Sequence, residues 1–210
     1  MEKVCGEKVF TFGSGRTDAG VHALNQVVNF KTNGIIPCAN LLRAAKSMLP
    51  KDIVILSAEE TTENFHARYS AINKEYEYRI FTGKTSDPFL SDRAWQITED
   101  LDFEAMQKGA KLFLGEHNFS NFRSMGSENG NPIRKIIKSE LRKENENIYF
   151  NIAGNGFLYH MVRNIMGALV QVGLKKITLS DLQNIIENPN EKAVVSPAPP
   201  WGLYLKDVEY

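Results

Sequence analysis

Along residues 73–82 apolar and polar positions alternate, with Tyr76, Tyr78 and Ile80 on one face and Glu75, Glu77 and Arg79 on the other. That two-residue period predicts a strand with one buried face. Shorter strands are predicted at Val9-Phe10-Thr11-Phe12 and at 26–31, and the β-branched run Ile53-Val54-Ile55-Leu56 predicts a buried one. Residues 134–142 and 148–153 read as paired strands around a Glu144-Asn145-Glu146-Asn147 turn. A last strand, 202–208, is entered through the proline-rich 197–200, where proline keeps the entry off the ladder. Helical spacing covers 39–48, ending at Leu49-Pro50, and 102–114, with Asp102 as N-cap. It also covers 158–172, apolar at most positions but holding Arg163, and a short helix capped by Ser180-Asp181 that runs to Glu187. These elements predict an α+β protein of two similar sheet-and-helix halves facing each other across a cleft. The Gly/Ser/Asp/Pro-rich segment 85–93 is the expected boundary, giving halves 1–88 and 89–210.

The loop joining the first two strands changes the picture from fold to chemistry. Gly13-Ser14-Gly15-Arg16-Thr17-Asp18-Ala19-Gly20-Val21-His22-Ala23 sets an acid and a guanidinium two residues apart among small residues. Such a loop shows Asp18 to a ligand, although Gly, Ser, Thr and Asp are also the ordinary residues of turns. A phosphate-binding loop does not fit, because no Lys-Ser/Thr pair follows the glycines. Asp18 and His22 lack the further ligands nearby that a metal would require. A pure turn leaves Arg16 unexplained.

Composition narrows the class. The 210 residues are 42% hydrophobic and 24% charged, ordinary for a globular protein with a real core. No apolar run predicts a membrane span, and Cys5 and Cys38 sit in unrelated contexts, which points to a reducing compartment and the cytoplasm. Net charge is zero, from 25 basic and 25 acidic residues, so distribution matters more than the sum. Basic residues gather at Arg134, Lys135, Lys138, Arg142 and Lys143, at Arg163, Lys175 and Lys176, and at Arg68, Lys74, Arg79 and Lys84. Each cluster alone reads as a solvated face, but three of them around apolar segments fit an RNA groove.

An isolated aspartate can attack a glycosidic carbon or add to an electrophilic ring carbon of a base without a metal or organic cofactor. It needs a cation to stay ionised once water is excluded. Arg16 is the local candidate, and Arg163, on an apolar helix, is the remote one. Tyr76 offers a ring for stacking and a phenol for proton movement.

Gly15-Arg16-Thr17-Asp18-Ala19-Gly20-Val21-His22-Ala23 resembles the signature of the TruA-type tRNA pseudouridine synthases. Further blocks are similar to that family in the family's order: Phe65-His66-Ala67-Arg68-Tyr69-Ser70-Ala71 with Lys74-Glu75-Tyr76-Glu77-Tyr78, then Gly115-Glu116-His117-Asn118-Phe119-Ser120-Asn121-Phe122. Phe157-Leu158-Tyr159-His160-Met161-Val162-Arg163-Asn164-Ile165-Met166-Gly167 and Ala198-Pro199-Pro200-Trp201-Gly202-Leu203-Tyr204-Leu205 complete the set. The resemblance implies two ferredoxin-like-derived halves, mostly antiparallel sheet with helices on one face, and a homodimer without a cofactor or metal. It implies isomerisation of uridine to pseudouridine in the anticodon arm of tRNA, at positions 38, 39 and 40. Asp18 would be the nucleophile, Arg163 its partner, and Tyr76 the residue that packs on the flipped uracil and serves as base. Arg16 would help displace the base, with His22 and Arg68 as further substrate contacts. Attack on the ribose and attack on the ring are both open. The alternative is a truncated or non-catalytic RNA-binding relative without turnover.

The family places a strand and a helix ahead of the Asp18 loop, whereas Met1-Glu2-Lys3-Val4-Cys5-Gly6-Glu7 resembles only the end of that helix. About forty residues of ordinary helix and strand are therefore expected upstream. Without that strand, backbone and apolar surface in the first half lose their cover. The expected outcome is a lower thermal midpoint for this chain than for a version extended by such a segment; equal midpoints would refute it.

Overall fold

The computed structural model describes residues 2–124, 130–189 and 195–210. Met1, at the head of the expected helix end, lies outside them. In chain order the first elements are α1 (Glu2–Cys5), β1 (Thr11–Gly13), β2 (His22–Ala23), β3 (Val28–Phe30), α2 (Cys38–Met48), β4 (Asn73–Phe81) and β5 (Trp95–Gln96). They are followed by α3 (Phe103–Lys111), β6 (Gly115–Asn118), β7 (Ile133–Glu144), β8 (Asn147–Gly154), α4 (Met161–Gly173), α5 (Leu179–Glu187) and β9 (Leu203–Glu209). Contacts gather into two compact units, one of residues 1–16 and 27–71, the other of 17–26 and 72–210. The segment 85–93, expected as a boundary, lies within the second unit.

In the first unit β1 and β3 form a two-stranded antiparallel ladder, Thr11 opposite Phe30. Glu7 ties its loop together by accepting from Thr32 Oγ1 at 2.6 Å and from the Asn33 backbone N–H at 2.7 Å. These hydrogen bonds hold its carboxyl below the usual range. The run 53–56, expected as a buried strand, is neither: it forms no ladder, and Val54 and Leu56 are 73% and 74% exposed. β-branched residues suit a pleated surface but supply no partner, and here β1 and β3 pair with each other.

The second unit is built on a mixed sheet ordered β2-β9-β4-β8-β7-β6, with β5 beside the end of β4. All contacts between neighbouring strands are antiparallel except β2 with β9 and β4 with β5. The α+β class with a largely antiparallel sheet is thus as expected. Strand β4 keeps its predicted alternation: Tyr78 and Ile80 are buried with Phe150 and Ile152 of the neighbouring β8. Glu77, on the other face, is buried too, because Arg79 and Lys206 surround its carboxylate. The β4–β9 register shifts between Glu75 and Tyr76, where Lys206 on β9 is left without an opposite residue. Such bulges re-aim side chains and are common beside functional sites.

Helix α3 packs on α4, α5 and β7, and Asp102 caps it as predicted, accepting from the Ala105 N–H at 3.0 Å. Two helix starts differ from expectation. The N-cap of α5 is Thr178, in a reciprocal capping box with Asp181, so Ser180 lies inside the helix. Helix α4 begins at Met161 rather than at 158, because His160 has a left-handed backbone, φ 60° and ψ 6°. No described helix is long and apolar enough to cross a membrane.

Segment 195–200 runs against α4 at Gly167, where a Cβ would collide with the carbonyl oxygen of Ser196. In an open helix Gly167→Ala would be favourable by propensity. Here it is expected to destabilise the second unit by about 1–3 kcal/mol, the usual cost of overpacking. A urea unfolding curve should show a lower midpoint at unchanged slope.

Candidate active site

Asp18 lies in the loop that leads into β2, and all its described partners belong to the second unit. The loop turns tightly, with the Val21 N–H donating to Asp18 O at 3.0 Å. Gly20 has φ +83°, and a Cβ there would meet Pro200 Cγ at 3.2 Å, so glycine satisfies both the turn and the close approach. Beyond the turn, β2 pairs in parallel with β9 and the Leu24 N–H donates to Leu205 O at 2.8 Å. Asn25 Nδ2 adds a bond to Asp207 Oδ1 at 2.7 Å. The carboxylate is therefore presented by a loop stitched along a core strand.

Arg163 supplies the cation. It sits in the first turn of α4 with its side chain 12% exposed, and its NH1 donates to Asp18 Oδ2 at 3.0 Å. Its orientation is fixed by Ala198, whose N–H donates to Arg163 O at 3.0 Å and whose carbonyl accepts from Arg163 Nε at 2.7 Å. The 197–200 segment is fastened in turn by Tyr78, whose hydroxyl donates to Pro199 O at 2.7 Å. Gly202 allows this, since a Cβ there would lie 2.7 Å from the Tyr78 ring. A charge pair so shielded is costly to break from one side, because the remaining charge is stranded.

A second donor reaches the same oxygen. His160 Nε2 lies 3.0 Å from Asp18 Oδ2. Its Nδ1 is 2.9 Å from Ser124 Oγ, and Asn164 Nδ2 lies 3.4 Å from that oxygen and 2.8 Å from Phe122 O. Burial lowers the pKa of His160; the Asp18 charge opposes this and the Arg163 charge adds to it.

Tyr76 on β4 completes the group. Its ring meets Phe157 edge-on at 5.0 Å between centroids. Burial, reinforced by the negative charge of Asp18, pushes its phenol up to about 12, so the proton stays on through the physiological range. Tyr78 is pushed up as well, by burial.

The structure thus brings Asp18, Arg163 and Tyr76 together and adds His160, which sequence reasoning did not single out. The signal was present: His160 precedes Arg163 by three residues, the spacing of neighbours on one helical face. Ser124 carried no local signal. His22 is used elsewhere, with Arg93 NH1 donating to its Nδ1 at 3.1 Å and its Nε2–H donating to Asp92 O at 2.8 Å. Its ring stacks on Tyr204 at 4.7 Å. Arg16 and Arg68 both belong to the first unit, where the Arg68 guanidinium lies 5.7 Å from the Tyr69 ring centre. Among the described residues no group of three or more His, Cys, Asp or Glu side chains could hold a metal ion.

A carboxylate held by a guanidinium and an imidazole beside a buried phenol is an arrangement suited to nucleophilic catalysis. A profile of the tRNA pseudouridine synthase family matches residues 2–70 and 110–210. The tRNA pseudouridine synthase A of Acetivibrio thermocellus is 46% identical over 210 residues, covering 100% of this chain and 86% of that protein. The protein of the same name from Thermoanaerobacter pseudethanolicus is 42% identical over the same shares, and that of Francisella tularensis subsp. holarctica 35%, covering 100% and 81%. The chain belongs to the tRNA pseudouridine synthase family.

The His160 shift has a measurable consequence. With its pKa held below 6.5 in the fold, the unfolded chain takes up this proton first on acidification. The stability that neutral His160 contributes is whole above pH 6.5 and is lost as pH falls through the lowered folded value. Urea midpoints between pH 8 and pH 5 should fall more steeply for wild type than for His160→Gln (about half a unit per step resolves the difference).

Proposed function

We propose that the chain isomerises uridine to pseudouridine in the anticodon arm of tRNA, at positions 38, 39 and 40, with Asp18 as the nucleophile. The observation that carries this reading is the Asp18 carboxylate held at 3.0 Å by a guanidinium that is itself fixed by Ala198. The target base must leave its stack to reach such a carboxylate, at a cost of a few kcal/mol that contacts in the pocket offset. Arg16, two residues before Asp18, helps displace the base, and Arg68 with the exposed Tyr69 gives the first unit a cationic and stacking contact for RNA. His22, with both ring nitrogens engaged, serves the substrate indirectly by fastening the loop that bears Asp18.

One carboxylate oxygen adds to C6 of the uracil or to C1′ of the ribose, and the N1–C1′ bond breaks. The base turns, C5 bonds to C1′, the hydrogen on C5 leaves as a proton, and N1 gains a proton. Release of Asp18 restores the enzyme, so the reaction balances as an isomerisation. Tyr76, protonated at rest, packs on the extruded uracil, and its hydroxyl gives its own proton to N1 and takes the one from C5, so the phenol is restored. We place the active species in the cytoplasm, in keeping with two free cysteines, Cys5 and Cys38, and take it to be the homodimer that the family resemblance implies.

Incubation with unmodified tRNA and chemical mapping of pseudouridine should find the product in the anticodon arm. Asp18→Asn should reduce it to background while tRNA binding persists. Arg163→Lys, which keeps the charge but loses the guanidinium geometry, should lower kcat more than it raises KM. Activity surviving in Asp18→Asn would overturn the nucleophile assignment.

A further inference from the structure

We propose that His160 is a positioning residue for this reaction: with Arg163 it pins one oxygen of the Asp18 carboxylate and leaves the other as the attacking atom. The inference rests on the reading of Asp18 as nucleophile. Arg163 NH1 and His160 Nε2 both lie 3.0 Å from Oδ2. Among the described residues no group donates to Oδ1. A carboxylate anchored through one oxygen keeps its plane and its rotamer while the second oxygen retains full acceptor capacity.

The hydrogen-bond pattern assigns the imidazole proton. An ionised carboxylate only accepts, so Nε2 carries the hydrogen that it donates to Oδ2. Nδ1 must then accept, and its partner at 2.9 Å is the Ser124 hydroxyl. The Ser124 oxygen is free to accept from Asn164 Nδ2 at 3.4 Å. The chain of donors runs Asn164 to Ser124 to His160 to Asp18, all in one direction, which selects the neutral imidazole with hydrogen on Nε2.

Two costs support a functional origin for this arrangement. His160 adopts φ 60°, a conformation uncommon for a residue other than glycine, at the step into α4. Asn164 is 3% exposed, and its Oδ1 is buried without a hydrogen-bond partner among the described residues. A histidine that simply filled space would need neither.

The groups facing the imidazole define its pH response. They are Asp18 from the loop, Arg163 on its own helix, Ser124 from the opposite segment, and Tyr159, stacked at 3.8 Å. Protonation at Nδ1 would reverse the Ser124 hydrogen bond and place a second positive charge against Asp18, weakening it as a nucleophile. The acid side of the kcat profile in wild type therefore includes the titration of His160.

The test compares His160→Leu, which removes the donor, with His160→Gln, whose amide nitrogen reaches about as far as Nε2. Each carries a side chain on the same left-handed backbone. For His160→Leu kcat should fall roughly 100-fold, as when one preorganised donor is deleted, with KM for tRNA little changed. His160→Gln should recover most of that loss and shift the acid limb of kcat to lower pH. Equal kcat in wild type and His160→Leu, or a Gln variant as impaired as the Leu variant, would overturn the proposal. If His160→Leu does not melt cooperatively, Ser124→Ala carries the test, since it keeps the imidazole but removes the hydroxyl that sets its tautomer. It should lower kcat several-fold (about the share of one neutral hydrogen bond) and alter the acid limb, and a profile identical to wild type would overturn the proposal. Asp18→Asn is assayed alongside. If it retains activity the nucleophile reading fails; if it is inactive while His160→Leu is normal, only the positioning role fails.

Discussion

Much of the second unit converges on one ion pair, the Asp18 carboxylate held by the Arg163 guanidinium. Arg163 is nine-tenths covered, and each of its contacts fixes a different part of the second unit. Its backbone and Nε hold Ala198, and its NH1 holds Asp18. Ala198 lies in the segment that Tyr78 secures from β4 and that feeds β9, and β9 carries the loop of Asp18 through β2. The circuit closes on itself. Removing Asp18 would strand the Arg163 guanidinium, whose side chain is only 12% exposed, without its charge partner.

Much of this was legible in the chain because it is local. The alternation over 73–82, the Asp102 cap and the paired strands 134–142 and 148–153 follow from spacing alone, and they stand in the structure as β4, α3, β7 and β8. Arg163, on an apolar helix, was likewise legible as the remote candidate for the cation that the aspartate needs. What sequence could not supply was pairing. Residues 53–56 have the composition of a buried strand, yet they join no ladder and stay exposed because composition specifies no neighbour. Glu77 reads as a solvent-facing position and is buried, since Lys206 reaches it from a strand more than a hundred residues later. Helix α4 reads as starting at 158 because nothing in the residue type of His160 announces a left-handed backbone.

The two units differ in how their surfaces are satisfied. In the second, rings and aliphatic side chains from β4, β8, α3 and α4 fill the interior, with Phe113, Phe119 and Phe122 forming a mutual cluster. In the first, a two-stranded ladder and two helices leave Phe10, Val54 and Leu56 well exposed. Its order leans more on local polar ties, such as Glu7 with Thr32 and Asn33. Asp18 draws its described partners from the better-packed body, where a fixed backbone can hold a side chain in one geometry.

The separation of 145 residues between Asp18 and Arg163 has a consequence for how the site comes into being. Contacts that close so long a loop form late, after local helices and hairpins have reduced the entropy of the intervening chain. A nascent chain that has emerged only through α4 already holds Asp18, Tyr76 and Arg163, but neither Ala198 nor β9. Its aspartate loop has no parallel strand to lie against, and its guanidinium has no carbonyl to aim it. The supports of the Asp18–Arg163 pair are thus assembled only once β9 is present.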